Sequence, residues 1–518
     1  MHTPLRTPHL IALAALGLGI AADLLFFQRL PGISFPIFVG LCLATLLFFS
    51  MVEDRPPTLF NLFLGAGALV FALLTAVRAD MTLVFLNLCI CLGLLLLQVA
   101  LFRERGFLHL GIFGVAIQTI VAAFGVLFRP GPFAWQVASD LMPRGERAAI
   151  FAPIARGLAI AVPVVTIFTI LLTAADAVFA SIVGDLLALR LPFDLPDLGG
   201  HLFLIGFAAW ICAGGLLTGL RAITPSDLAT APEDSNAALP MSQGWLGCVE
   251  AVTLLICVDL LFFGFMAIQG AYLFGGLDTL SRTGMTYSEY ARRGFFELVA
   301  VACLSLGLGW LLSSITRRDS GTWQPRVFQV ACATLALLTF GLVASAVQRM
   351  WLYEIAYGFT HLRLYTHTFM GWLAILLILF VIALLRHQPR LFTIGGSVAA
   401  LIVQATLTLV NPEAVIVQAN VARYLATGEI GLNDDTAIDR GDAYAPSESL
   451  DSYYLTQLST DATPALVAVL PLLPAYEQEI IRAKLDEQQI WLEQTWAESG
   501  WPSWHLSRAQ ATAALAQR

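Results

Sequence analysis

The sequence predicts an all-α integral membrane protein with about twelve transmembrane helices, followed by a small C-terminal helical tail. Hydrophobic residues make up 58% of the 518 positions, charged residues make up only 12%, and the mean hydropathy is +0.78. A soluble chain carries about twice that charged fraction. Lipid is therefore the expected solvent for most of the surface, which argues against a soluble enzyme or a soluble binding domain.

Apolar segments of about twenty residues recur up to residue 410, and each can cross a bilayer as a helix. The first segment is too long for a signal peptide and lacks a convincing small-residue cleavage site, so we interpret it as an uncleaved helix. Most connections are very short, so neighbouring helices are expected to run antiparallel. We predict spans at 10–27, 33–51, 59–77, 81–102, 108–128, 155–175, 202–220, 247–269, 295–315, 327–348, 368–385 and 391–410.

Charge and hydropathy divide the chain into three expected regions: 1–152 with transmembrane helices 1–5, 153–410 with helices 6–12, and 411–518 as an acidic helical region. The last region holds 15 acidic and 6 basic residues, a net charge of −9, whereas the rest of the chain carries +1. An acidic surface repels nucleic acid, so we do not expect a nucleic-acid partner. The expected partners are the lipid bilayer and, for the tail, either another protein or the chain's own membrane helices.

The orientation in the membrane is weakly determined by sequence. The loop arginines divide ten against eleven between the two faces, so the positive-inside rule does not decide the orientation. An even number of spans places both termini on one face. One lysine against 27 arginines is typical of a GC-rich bacterial genome, and we expect a multi-pass protein of the inner membrane with cytoplasmic termini.

The tail carries helix start and stop signals. Asn411-Pro412-Glu413 supplies a capping side chain, a proline for the first turn and a first-turn acid. The polar stretch 432–449 is typical of a loop. Further helices are predicted at 451–458, 464–472 and 476–499, and Ser503 could cap a terminal one.

Ionisable residues inside membrane spans are costly, so each is a functional candidate. Asp259 is the most demanding, because long apolar runs surround it on both sides. Glu289, Arg293 and Glu297 recur at intervals of four and would line one face of a helix that begins near Tyr287. This ladder is either a charged vestibule or a salt-bridge ladder that anchors a helix end.

A second cluster of candidates comprises Glu354, His361 and Arg363, with His367 nearby. If the segment is one helix, Glu354 and His361 share a face. The same residues, with their aromatic neighbours, could equally form an ordinary interfacial belt. Because no established metal-ligand spacing occurs here, and all eight cysteines lie in apolar runs without a C-x-x-C pair, we expect no metal, cofactor or catalytic residue.

Five segments of the chain carry a resemblance to known proteins: Leu273–Gly276, Thr286–Leu298, Tyr353–Tyr365, Ala174–Phe179 and Asn411–Pro412. The most specific of them contains the string TYSEYARRGFFEL. Together they resemble a bacterial membrane family, the domain of unknown function 4173, and its relative 4153. The resemblance covers about Pro153 to Leu472, and it implies a membrane architecture and no mechanism.

Two function classes fit the sequence about equally. One is a transporter or channel-like protein with a buried-carboxylate coupling site, which the many spans and buried acids favour. The other is a non-transporting membrane sensor or scaffold whose acidic tail binds a partner. A membrane-embedded enzyme acting on lipid is a weaker alternative, since no nucleophile, metal or carboxylate pair has convincing spacing. The sequence therefore favours a protein that is not an enzyme.

Overall fold

The apolar runs of the sequence form long helices in a computed structural model of the chain, which describes residues 6–102, 112–141, 195–220, 246–274, 295–316, 324–431 and 450–518. Two short 3₁₀ helices, Leu470–Leu472 and Trp501–Ser503, lie in the C-terminal region. The α-helices in these ranges are α1 (Pro8–Phe26), α2 (Ser34–Val52), α3 (Leu59–Leu74), α4 (Met81–Ala100), α5 (Ile112–Phe128), α6 (Pro130–Leu141), α7 (Leu195–Leu220), α8 (Cys248–Phe274), α9 (Phe295–Ile315), α10 (Gln324–Tyr357), α11 (His361–Leu385), α12 (Pro389–Val410), α13 (Pro412–Gly431), α14 (Ser452–Thr456), α15 (Thr463–Val469), α16 (Ala475–Ser499) and α17 (Leu506–Leu515).

Ten helices in the described ranges are long and apolar enough to cross a membrane. They match ten of the twelve predicted spans, and they make the chain an all-helical, multi-pass membrane protein. The predicted span 59–77 corresponds to α3, which is a shorter apolar helix of 16 residues. The predicted span 155–175 lies outside the described residues, so the total of about twelve stays a prediction.

Close contacts divide the chain into two compact units, and the C-terminal region contributes to both. Unit 1 comprises 1–77, 84–230 and 492–506, and unit 2 comprises 78–83, 231–491 and 507–518. The expected three-region division stays a prediction.

In unit 1, helices α1, α5 and α7 pack so closely that only glycine fits at the contacts. A side-chain carbon on Gly19 of α1 would lie 2.4 Å from the carbonyl oxygen of Ile205 in α7. One on Gly214 of α7 would lie 1.9 Å from the carbonyl oxygen of Val126 in α5. Small residues at such contacts are typical of membrane helices, where close packing drives association.

Two sets of polar contacts in unit 1 lie at opposite ends of α1. The backbone N–H groups of Arg6 and Thr7, at the start of α1, donate to the carboxylate of Glu53 at the end of α2. After α1 ends, Ile33 N–H donates to the carbonyl of Trp504. Residues 6–7 and residue 504 therefore contact opposite ends of α1, and the expectation that both termini share a face stays a prediction.

In unit 2, helices α8 to α12 pack around one apolar core. Its fully buried members come from four helices and include Leu255, Ala302, Leu335, Leu342, Met370 and Leu373. The lipid-facing sides of the same helices keep large apolar side chains exposed, as expected for a bundle solvated by lipid.

The start signals predicted in the tail operate in the structure. The side chain of Asn411 accepts a hydrogen bond from Ala414 N–H at the start of α13, and Asp451 accepts one from Tyr454 N–H at the start of α14. Gly500 ends α16 with a φ of 62°. Ser503 lies within a 3₁₀ helix and donates to the carbonyl of Gly500. The terminal helix α17 begins three residues later, at Leu506.

Candidate functional site

The acid–base ladder predicted around residue 293 lies mostly outside the described part of the chain. Neither Glu289 nor Arg293 is described, so their role stays a prediction. Glu297 lies in the first turn of α9 and is exposed. An acid there is favoured by the helix dipole alone.

Asp259 lies within α8 and is 9% exposed. Its Oδ1 atom has no hydrogen-bond partner among the described residues. Within those residues, no hydrogen bond or ion pair joins Asp259 to Glu297 or Glu354. Among the described candidates, Asp259, Glu297 and Glu354 therefore make no direct polar contact with one another.

The segment that follows Trp351 is not one continuous helix, so Glu354 and His361 do not share a helix face. Gly358 has a φ of 74°, which ends α10, and α11 begins at His361. Glu354 instead pairs with His367, with 3.0 Å between Oε1 and Nδ1. Arg363 donates to the carbonyl of Gly358.

His361 forms a cluster with two acids that sequence analysis did not link to it. Its Nε2 atom lies 3.2 Å from Oδ2 of Asp80 and 3.1 Å from Oε1 of Glu413. The three ligand-type atoms all lie within 4.8 Å of one another. Their spacing would allow the three side chains to bind one metal ion.

Each of the three residues is positioned by a helix end. Asp80 directly precedes α4, and its Oδ1 atom accepts the N–H of Leu83 at 2.8 Å, as an N-cap does. His361 is the first residue of α11, and Glu413 lies in the first turn of α13. The local sequence thus determines that each residue lies at the start of a helix, and the packing of the helices brings the three side chains together.

Asp461, in the C-terminal region, completes the cluster. Its Oδ2 atom accepts the N–H groups of Ala79 and Asp80 at 2.6 and 2.8 Å. Ser459 links Asp461 to Glu413. Its hydroxyl accepts the N–H of Asp461 at 3.1 Å and donates to Glu413 Oε2 at 2.8 Å, and its own N–H donates to Glu413 Oε1 at 3.1 Å. We call Asp80, His361, Glu413 and Asp461 the carboxylate–histidine cluster.

Arg78 supplies a positive charge beside the cluster. Its guanidinium lies 3.8 Å from Oδ1 of Asp461, and it donates to the carbonyls of Thr408 and Leu409 at the end of α12 at 2.7 and 2.8 Å. A cation at the C-terminus of a helix also satisfies carbonyls that have no partner within the helix. Arg78 therefore fastens the end of α12 to the start of α4.

Burial dominates the electrostatics of the groups that lie outside the spans. The side chains of Asp461 and Arg78 are 1% and 10% exposed. Burial raises the pKa of Asp461, against the N–H of Asp80 and the charge of Arg78, which lower it. Burial likewise lowers the pKa of Arg78, against the attraction of Asp461. Both charges are thus held at a cost that their mutual contact only partly offsets.

Sequence reasoning singled out His361 as a candidate and Glu413 as a first-turn acid, but it missed Asp80 and Asp461. The available signal was weak. Asp80 lies at the edge of an apolar run, where an acid commonly caps a helix, and Asp461 lies next to a predicted helix start. Asp80 and Asp461 are 381 positions apart, and no local pattern predicts such a contact.

A protein-family model matches most of the chain. Residues 65–469 match the family model described as Domain of unknown function (DUF4153), the relative of the family first expected, and this match includes all four residues of the carboxylate–histidine cluster. No curated protein and no solved structure matches the chain. Since the match covers most of the sequence, this multi-pass membrane protein belongs to the DUF4153 family.

Proposed function

We propose that this protein is a membrane sensor or scaffold whose C-terminal region is coupled to the ends of membrane helices through the carboxylate–histidine cluster. The observation that carries the proposal is that Asp461 binds the backbone before α4 while Ser459 binds Glu413. A change at the cluster would therefore reach the C-terminal region and the membrane helices together.

The position of the cluster favours this class over a transporter. Asp80 precedes a span, His361 begins one, and Glu413 follows the end of another. These positions correspond to the membrane boundary, whereas coupling sites of secondary transporters typically lie near the bilayer midplane. A boundary site that includes residues 454–461 is better suited to link a non-membrane segment to the bundle.

Hydrogen exchange of the full-length protein in detergent or nanodiscs tests the coupling. Asp461→Asn leaves one acceptor oxygen but removes the charge that holds Ala79 and Asp80. We expect faster exchange both at residues 452–469 and in the first turn of α4. The matched control is Asp486→Asn, because Asp486 lies in the same region and is 67% exposed in its pair with Arg518. Changes confined to the surroundings of residue 461 would contradict the proposal.

One observation favours a transporter as the second candidate. Asp259 is buried within the span Cys248–Ile268, and its Oδ1 atom has no hydrogen-bond partner among the described residues. Such an acid is typical of proton or cation pathways. Proteoliposomes that contain a trapped pH indicator separate the two classes. Proton flux that Asp259→Asn abolishes would establish transport and overturn the sensor proposal, whereas the sensor proposal expects no flux above that of empty liposomes.

A further inference from the structure

We infer that the carboxylate–histidine cluster is a binding site for a divalent first-row metal ion, with Asp80, His361 and Glu413 as protein ligands. This inference deepens the proposed function, because it names the ligand through which the coupled site would respond. It depends on four features of the cluster: the ligand spacing, the orientation of each ligand, the net charge and the buried Oδ1 atom of Asp461.

The ligand spacing fits a metal ion. Metal–ligand distances of about 2.1 Å place neighbouring ligand atoms about 3.0 Å apart in octahedral geometry and about 3.4 Å apart in tetrahedral geometry. The Nε2 atom of His361 lies 3.2 Å from the Asp80 oxygen and 3.1 Å from the Glu413 oxygen. One imidazole nitrogen with two carboxylate oxygens suits zinc or manganese, whereas magnesium and calcium prefer oxygen ligands alone.

Each ligand is oriented by a second contact. Leu83 N–H holds Oδ1 of Asp80, and the Ser459 hydroxyl holds Oε2 of Glu413, so the other oxygen of each carboxylate faces His361. The hydroxyl of Tyr454 accepts the backbone N–H of His361 at 2.9 Å and lies 3.4 Å from its Nδ1 atom. An Nδ1–H that donates to this hydroxyl leaves the Nε2 lone pair directed at the two carboxylates, which is the arrangement that metal ligation requires.

The charge of the cluster matches a divalent ion. Asp80, Glu413 and Asp461 bring three negative charges, and Arg78 brings one positive charge, so two negative charges are in excess when His361 is neutral. The side chains of the three acids are 7%, 2% and 1% exposed. Buried charges require compensation, and a divalent cation supplies it in full.

Asp461 provides the independent observation. Its Oδ1 atom is buried and accepts no hydrogen bond of normal geometry among the described residues, while the guanidinium of Arg78 lies 3.8 Å from it and the hydroxyl of Ser507 lowers the pKa of the carboxyl. Its other oxygen already accepts the N–H of Asp80, a metal ligand in this proposal. This oxygen can therefore accept a hydrogen bond from a water molecule on the metal ion.

Metal binding is measured on the full-length protein in detergent, by equilibrium dialysis with metal analysis for Zn²⁺ and by electron paramagnetic resonance for Mn²⁺. We expect one bound equivalent that a large excess of Mg²⁺ does not displace. Glu413→Gln and His361→Ala should each weaken binding by roughly tenfold or more. Wild-type protein that binds no equivalent, or binding that Glu413→Gln leaves unchanged, would refute the site.

The matched control is His201→Ala. His201 Nδ1 lies 2.8 Å from the carboxylate of Asp23, so this pair has the same chemistry with one acid instead of two. The control variant should keep the full metal stoichiometry, and equal loss in both histidine variants would contradict the assignment.

Tyr454→Phe keeps all three ligands, so it tests the site even if the variants that remove a ligand fail to fold. We expect it to bind one equivalent with weaker affinity, and unchanged affinity would contradict the oriented-imidazole argument. Metal binding without coupled hydrogen exchange would support the site and refute the sensor proposal. Coupled hydrogen exchange without metal binding would support the sensor proposal and refute the metal site.

Discussion

At the scale of single residues, Gly358 shows how one position determines a functional geometry. It has a φ of 74° and ends α10, so His361 can begin a new helix, in which His367 rather than His361 contacts Glu354. Asn420 secures the turn, because its side chain accepts the N–H of Phe359 at 2.7 Å and donates to the carbonyl of Phe359 at 2.9 Å. The backbone turn and α13 therefore hold each other in place.

Gly358→Ala should destabilise the protein by roughly 1 to 3 kcal/mol, because alanine is strained in this backbone conformation. Its Cβ atom would also lie 2.4 Å from Oδ1 of Asn420, which must move and weaken both bonds to Phe359. Thermal unfolding of the full-length protein in detergent measures the effect. The control is Gly371→Ala within α11, where nothing lies within 4 Å of the added carbon, and no loss of stability is expected. A similar loss in both variants would contradict the argument from backbone strain.

At the scale of helices, hydropathy was sufficient to locate most spans. Spans such as 295–315 and 391–410 were predicted to within two residues, because burial in lipid selects apolar composition regardless of tertiary contacts. The start of α11 was misplaced by seven residues. Its first turns contain His361, Arg363 and His367, which lower the hydropathy, and polar contacts with other helices compensate for them.

Polar contacts between distant helix ends were beyond sequence reasoning. Arg78 was assigned only to a loop, yet its guanidinium binds carbonyls 330 and 331 positions away. His361 was predicted as a candidate with Glu354, whereas its partners are Asp80 and Glu413. The sequence thus indicated which residues carry chemistry, but only tertiary packing determines which of them meet.

Arg78→Lys tests whether this contact stabilises the end of α12. Lysine keeps the charge but cannot donate to the Thr408 and Leu409 carbonyls with the fork of a guanidinium. We expect a loss of roughly 2 kcal/mol, since hydrogen bonds to charged groups are worth more than neutral ones. Thermal unfolding measures the loss, and hydrogen exchange in residues 408–411 should rise. Arg386→Lys is the control, because Arg386 is exposed at the end of α11, and equal losses in the two variants would refute the role of Arg78.

At the scale of the whole molecule, backbone and carboxylate contacts join the C-terminal region to other segments within each unit. Its four tryptophans, Trp491, Trp496, Trp501 and Trp504, are each about half exposed. The carbonyl of Trp504 accepts Ile33 N–H, and the region's carboxylate at Asp461 accepts two N–H groups. Backbone and carboxylate contacts of this kind leave no hydropathy pattern in the sequence.

The contacts of unit 1 predict that the loop at Asp54 and the segment around Trp501 lie on opposite faces of the membrane. Helix α1 separates them, and its nineteen residues span about 28 Å, close to the hydrocarbon thickness. Its start contacts Glu53, and the loop after its end contacts Trp504. This prediction requires an odd number of crossings between Asp54 and Trp501, whereas hydropathy suggests an even number.

A membrane-impermeant maleimide applied to oriented vesicles measures this arrangement. Asp54→Cys and Trp501→Cys both place a thiol at an exposed position, with Asp54 72% and Trp501 58% exposed. We expect right-side-out vesicles to label one variant and inverted vesicles to label the other. The wild-type chain, whose eight free cysteines lie on helices, sets the background. Labelling of both variants from the same side would show that residues 53–54 and 501–504 share a face, and it would overturn the packing of α1 described for unit 1.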